Sequence, residues 1–134
     1  MKNKEEKLSL LSDLIYLVRS DHDVNEREYL FIQAVARNMK VDDDDLNRLF
    51  SDERPPYVAP ETEPERILQF QRLLLLMNID RRIHPKERLA LKDCTLKMGL
   101  NPIAVDQVLS VMNNYPDRVV PPKVMIDIFK VYYN

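Results

Sequence analysis

The residues most able to do chemistry are four carboxylates in one short polar stretch: Asp21, Asp23, Glu26 and Glu28. Hard divalent cations such as Ca²⁺, Mg²⁺ and Mn²⁺ are bound by several carboxylate oxygens that converge from different backbone positions. A helix–loop–helix can bring such side chains together, so the stretch is a candidate metal site. Its spacing differs from that of the twelve-residue EF-hand loop, whose glycine it also lacks.

A structural role is the competing interpretation of these acids. Only the outer pair recurs 59 residues later, as Asp80 and Glu87, because Arg82 and Pro85 replace the inner pair there. A pair kept in both copies is what a shared architecture requires. Glu28 would complete a capping box at the start of a helix, and an aspartate in the turn can bond free amides of that helix. Capping is therefore the favoured role of the pair, and metal binding is the alternative.

The second copy of the loop is basic where the first is acidic. It has two acids and four cationic side chains. The cations are Arg81, Arg82, Lys86 and Arg88. Opposite charge on two equivalent loops can steer a protein partner or favour self-association into a homodimer. Solvated loops without a partner are the alternative interpretation.

No residue pattern elsewhere predicts catalysis. The only cysteine, Cys94, lies on an apolar stripe with Leu91 and Met98, which predicts buried packing. The chain has one glycine and contains neither dinucleotide-binding nor P-loop motifs. We therefore expect a protein that is not an enzyme and whose sole candidate cofactor is a divalent cation. A hydrolase that uses a metal-activated water at the acidic loop is a third hypothesis.

Composition limits the partners. The chain has 134 residues, of which 45% are hydrophobic and 31% charged, as expected of one soluble globular domain. A net charge of −2 predicts no bulk attraction to nucleic acid or an anionic membrane. The longest apolar run, residues 73–77, is far shorter than the roughly 20 residues of a membrane span. No signal peptide fits the polar N-terminus, so we expect a cytoplasmic protein.

An internal repeat determines the elements that position these loops. With an offset of 59 residues, Leu14 aligns with Leu73 and Met39 with Met98. Each copy has the pattern of three helices, in repeat one (about 5–50) and repeat two (about 62–112), joined by a proline-rich linker over 51–60. The first helix is predicted over about 5–19, and the fourth from Pro64 to about 79. The predicted N-cap residues of the other helices are Asn25, Asp42, His84 and Asn101.

The C-terminal segment, about 122–133, has two possible patterns. Met125, Ile128 and Phe129 fit a helical stripe, whereas Val124 and Ile126 alternate with their neighbours as in a strand. A helix is favoured because no second strand is available for pairing. The sequence thus predicts a single all-α domain over 1–134, a compact bundle of about seven helices.

The two loop regions, residues 17–28 and 76–87, resemble the tellurite-resistance protein B-like (TerB-like) family. Each has a helix that ends shortly before an aspartate, then a polar turn, an apolar residue and a glutamate that opens the next helix. The resemblance implies seven helices in two pseudo-twofold-related repeats. It also implies a binding module of bacterial tellurite and stress-response systems, with acidic loop residues proposed to bind a divalent metal.

Together these observations predict a non-enzymatic cytoplasmic adaptor of the TerB-like type that binds a protein partner or itself. The alternative is a divalent-metal-binding or metal-sensing domain that uses the acidic loop of repeat one.

Overall fold

A computed structural model describes residues 3–20, 23–51, 53–79 and 85–132 of the chain. These residues form α-helices and short 3₁₀ turns, with no strand in the described ranges, so the predicted all-α class is confirmed. The helices are α1 (Lys4–Arg19), α2 (Glu26–Asn38), α3 (Asp43–Phe50), α4 (Glu63–Met77), α5 (Pro85–Met98), α6 (Pro102–Val111) and α7 (Pro122–Val131). None of the described helices is long and apolar enough to cross a membrane.

Side-chain caps determine where the helices begin. The predicted caps Asn25, Asp42 and Asn101 each accept a hydrogen bond from a backbone N–H of the first turn. Thr62 does the same for α4, with its Oγ1 3.3 Å from the amide nitrogen of Glu65. The fourth helix therefore begins at Glu63, one residue before the predicted start, and it ends at Met77 rather than near residue 79. The predicted cap His84 lies outside the described residues.

The helix starts recur at the spacing of the sequence repeat. α4, α5 and α6 begin 59 residues after α1, α2 and α3, respectively. The same spacing relates the left-handed residues that follow α2 and α5, which are Lys40 with φ 62° and Gly99 with φ 84°.

One buried contact also joins positions 59 residues apart. The side-chain amide of Gln69 donates to the backbone carbonyl of Leu10 at 3.0 Å. Equivalent residues meet in this way where a twofold axis passes between two repeats. The contact agrees with the twofold relation that the TerB-like resemblance implies, and the axis itself stays a prediction.

The core lies between α1 and α4. Helix α1 packs against α2, α3, α4 and α5, and Leu11, Leu14 and Leu17 are fully buried along it. The apolar run over residues 73–77 belongs to α4, where Leu73 and Leu76 are also fully buried. Burial of one such leucine contributes about 1.5–3 kcal/mol to the free energy of unfolding. These two helices therefore hold the bundle together.

The linker and the last helix both pack against this core. The Val58 N–H donates to Ser9 Oγ on α1 at 3.0 Å, and the Arg66 side chain donates to the Pro60 carbonyl at 2.8 Å. The favoured C-terminal helix is confirmed as α7, which ends at Val131 rather than at residue 133. Its Phe129 ring meets the Phe70 ring of α4 edge-on, with centroids 5.9 Å apart.

Candidate functional site

The acidic loop leads from α1 into α2, and its described acids lie in different surroundings. Asp23 and Glu26 are exposed at the surface. Glu28 is fully buried, and its Oε1 accepts the Asn25 N–H at 3.0 Å. The Asn25 side chain in turn accepts the Glu28 N–H at 2.9 Å. The predicted capping box is therefore confirmed.

The described acids of this loop are the part of the metal hypothesis that the structure addresses. One oxygen of Glu28 accepts a hydrogen bond in the cap, whereas Asp23 and Glu26 are exposed. Over residues 3–20, 23–51, 53–79 and 85–132, no three His, Cys, Asp or Glu side chains are grouped closely enough to hold a metal. Asp21 lies outside the described residues, so the four-carboxylate site stays a prediction.

The basic loop is described only from its second half. Asp80, Arg81 and Arg82 lie outside the described residues. Glu87 is fully buried in the first turn of α5, as Glu28 is in the first turn of α2. Lys86 and Arg88 are exposed on either side of it. Two of the four predicted partner-binding cations therefore lie at the surface, at the start of α5.

Exposed aliphatic side chains lie beyond these two cations on α5 and on α6. Leu89 and Leu96 are 63% and 65% exposed, and seven residues, about two helical turns, place them on one side of α5. Ile103 on α6 is 61% exposed. We name the outward surface formed by Leu89, Lys92, Leu96 and Ile103 the α5–α6 face.

An ion pair joins the two helices of this face. Lys92 Nζ lies 2.9 Å from Asp106 Oδ1, and Asp106 follows Ile103 by about one turn of α6. Below the pair, Leu96 and Pro102 line a shallow cavity of about 270 Å³. The face therefore combines aliphatic side chains with a polar bridge. Sequence analysis missed it, although the repeat alignment places the charged Arg37 and Asp44 of repeat one opposite Leu96 and Ile103.

A second group that sequence analysis missed lines a polar cavity of about 420 Å³ between α1, the linker and the end of α5. Lys97 Nζ lies 3.3 Å from Oδ1 of Asp13, whose side chain is 8% exposed. The same ammonium lies over the Tyr57 ring, 4.5 Å from its centroid. Tyr57 packs under Lys97 and stays 42% exposed.

Burial dominates the titration of this group. It raises the pKa of Asp13, and the nearby Lys97 ammonium opposes that shift in part. Burial, followed by the charge of Asp13, raises the pKa of Tyr57 to about 12. Because the carboxylate is held by an ammonium and the phenol stays protonated at neutral pH, the arrangement fastens the linker to α5.

Cys94 packs in the core, as predicted. It is fully buried on α5 with Leu91 and Met98. Burial raises the pKa of its thiol, and the nearby charge of Asp13 adds to the effect. A buried, protonated thiol is a poor nucleophile.

Comparison with known proteins yields no relative of this chain: no protein-family model matches it, and neither a curated protein nor a solved structure does. The TerB-like resemblance therefore stays a prediction that rests on the two loop regions.

Proposed function

We propose that this chain is a non-enzymatic adaptor module of the TerB-like type that binds a protein partner through the α5–α6 face. The location in the cytoplasm and in a bacterial stress response is part of this proposal and rests on the family resemblance. The partner chemistry rests on the described residues of α5 and α6.

The observation that carries the proposal is that Leu89, Leu96 and Ile103 are all exposed, on two helices that the Lys92–Asp106 ion pair joins. Single exposed leucines are ordinary on protein surfaces, whereas a group of them rimmed by polar residues is typical of an interaction site. The transfer of each of these side chains fully out of water is favourable by about 1.5–3 kcal/mol. A partner that covers all three has enough apolar area at the centre of its contact to bind.

The surrounding charges indicate which partner fits. Lys86 and Lys92 lie three residues before and after Leu89, so both flank it on the helix surface, and Lys92 also pairs with Asp106 at 2.9 Å. Arg88 adds a third cation at the same end of α5. Cations around an aliphatic stripe complement a helix that presents leucines on one side and glutamates beside them. The partner segment is therefore an acidic amphipathic helix.

Repeat one supplies a matched control on the same chain. Leu30 of α2 is 51% exposed and occupies the place equivalent to Leu89. Its neighbours on that side include Arg37, which pairs with Asp43 at 3.3 Å. With these charged neighbours, the outward side of α2 has no continuous apolar stripe. Binding should therefore depend on the α5–α6 face alone.

The test is titration of a labelled synthetic peptide, followed by fluorescence anisotropy. The peptide is an amphipathic helix with leucines at positions i, i+3 and i+7 and glutamates beside them. The Leu96→Ser, Ile103→Ser double variant should bind it at least tenfold more weakly, which corresponds to about 1.4 kcal/mol. The Leu30→Ser control should bind as the unchanged chain does. A peptide with lysines in place of the glutamates should bind more weakly than the acidic peptide to the unchanged chain and to both variants.

Two results would overturn the proposal. One is equal affinity of the unchanged chain and the double variant for the acidic peptide, or no binding by either. The other is a dimer in sedimentation that dissociates on the Leu96→Ser, Ile103→Ser change, since the face would then belong to a second copy. Circular dichroism melts of the variants check that each remains folded.

A further inference from the structure

A second concave surface lies on another side of the bundle, between the beginning of α4 and α7. It encloses about 470 Å³, which is within the usual range for small-molecule sites. Its walls are mainly aliphatic and aromatic, with Ile67 and Leu68 on α4 facing Met125, Ile126 and Phe129 on α7. We name it the α4–α7 cavity.

One acidic residue borders this apolar cavity. Glu63, the first residue of α4, contributes to its lining. Both of its carboxylate oxygens are shielded from water, and neither has a hydrogen-bond partner among the described residues. A buried carboxylate that makes no hydrogen bond is costly, because it has lost its water and gained no donor in return. The positive end of α4 stabilises the charge but leaves these hydrogen bonds unmade.

The repeat architecture does not require an acid at this position. Its equivalent 59 residues earlier is Lys4 at the start of α1, which pairs with Asp45 of α3 at 3.0 Å. In repeat two the residue equivalent to Asp45 is Ala104, so the charge is reversed and its partner is absent from α6. Glu63 is therefore an acid without the structural role of its counterpart, placed at the edge of an apolar cavity.

We propose that the α4–α7 cavity binds a small hydrophobic molecule that carries an ammonium group. The apolar body lies between α4 and α7, against Leu68, Met125 and Phe129. The ammonium donates to the Glu63 carboxylate, which three rotatable side-chain bonds allow to turn toward the cavity. A charge-assisted hydrogen bond in an apolar surrounding is stronger than a neutral one.

The other charged group of the cavity does not favour an anionic ligand. Lys130 is exposed at the rim and stays hydrated without a ligand. A carboxylate ligand would bring a like charge toward Glu63, and a neutral alcohol would supply a weaker donor. The order of affinity should therefore be amine, alcohol, acid.

Three compounds with the same phenylbutyl body test this order: phenylbutylamine, phenylbutanol and phenylvalerate. Calorimetric titration of the full chain should give a dissociation constant at least tenfold lower for the amine than for the alcohol, and the weakest binding for the acid. In ¹⁵N-resolved spectra the amine should shift amide signals of α4 and α7 and leave those of α5 and α6 in place.

Variants assign the effect to Glu63. Glu63→Gln should remove the preference for the amine over the alcohol. Glu61→Gln, which removes one negative charge at an exposed position two residues earlier, should keep it. Leu68→Trp fills the cavity from a 43% exposed position and should abolish binding of all three compounds while leaving the acidic peptide bound at the α5–α6 face.

The proposal is overturned by any of three outcomes. These are equal affinity for amine and alcohol in the unchanged chain, an amine preference that survives Glu63→Gln, and no measurable binding of the amine at millimolar concentration. None of them affects the peptide titration, so the two proposals fail independently.

Discussion

The outward sides of the two repeats differ far more than their buried sides. The inner positions match, since Leu14 and Leu73 are equivalent and both fully buried. On the outside, Leu96 of α5 occupies the place that Arg37 has on α2. Packing constrains the inner residues of both repeats alike, whereas solvent leaves the outer ones free to change. This difference in outer chemistry is what supports the proposal that a partner binds on one side of the molecule.

The two helix ends show a smaller difference of the same kind. After α5 the chain turns through Gly99 with a positive φ, and after α2 it makes the same turn with Lys40. A left-handed conformation is easy for glycine and strained for other residues. Repeat one therefore carries a local strain that repeat two avoids.

The largest expected effect tests whether the buried sides are equivalent. Leu14→Ala and Leu73→Ala should each lower the free energy of unfolding by about 2–5 kcal/mol, because each removes buried methyl groups and leaves a cavity. Urea denaturation of the two variants measures this directly. A cost below about 1 kcal/mol for one of them would show that α1 and α4 do not share the core equally.

The next effect compares the two left-handed positions. Gly99→Ala should destabilise the fold by about 1 kcal/mol, and Lys40→Gly should stabilise it by up to a similar amount. The added Cβ at Gly99 would meet its nearest neighbour, the Arg66 side chain, at an ordinary 3.7 Å, so the cost comes from the backbone alone. Thermal melts of both variants against the unchanged chain show whether the signs are opposite, as expected.

The smallest effect concerns the charges at two equivalent positions, the buried Asp13 and the half-buried Arg72. Burial raises the folded-state pKa of Asp13 above its value of 3.8 in the unfolded chain. The carboxyl group therefore contributes stability below that pKa, and this contribution is lost as the pH rises through the higher folded-state pKa. Relative to Asp13→Asn, the unchanged chain should lose stability as the pH rises above 3.8 toward the higher folded-state pKa of Asp13.

Arg72 provides the control for this pH dependence. Burial lowers the pKa of its guanidinium, but the group stays protonated throughout the acidic range. The stability difference between the unchanged chain and Arg72→Gln should therefore be flat with pH. If the difference for Asp13→Asn is flat as well, or grows with pH, the Lys97 ammonium outweighs burial.

Local sequence patterns predicted the helices and their starts, but they did not predict the α5–α6 face or the two cavities. Helix starts could be predicted because a capping contact joins residues three positions apart, so both partners are visible in a short stretch of sequence. The examples are Asn25, Glu28 and Asp42. Asp13 and Lys97 are 84 residues apart, so only the packing of α1 against α5 brings them together. A contact between residues so far apart in the chain cannot be predicted from a local sequence pattern.

The α5–α6 face was missed for a related reason. Helix α5 has leucines on several sides, so their spacing does not show which of them face solvent. Leu91 is buried while Leu89 and Leu96 are exposed, and the choice depends on how α5 lies against α1, α4 and α6. The α4–α7 cavity likewise exists only because α7 packs beside α4.

The most direct test of the central claim is to give repeat two the outer residues of repeat one. The Leu96→Arg, Ile103→Asp double variant places the side chains of Arg37 and Asp44 at the equivalent positions and leaves the net charge unchanged. Anisotropy titration with the acidic amphipathic peptide should show at least a tenfold loss of affinity, with the free energy of unfolding changed by less than about 0.5 kcal/mol. Retained affinity in a folded double variant would contradict the assignment of the α5–α6 face as the partner-binding surface.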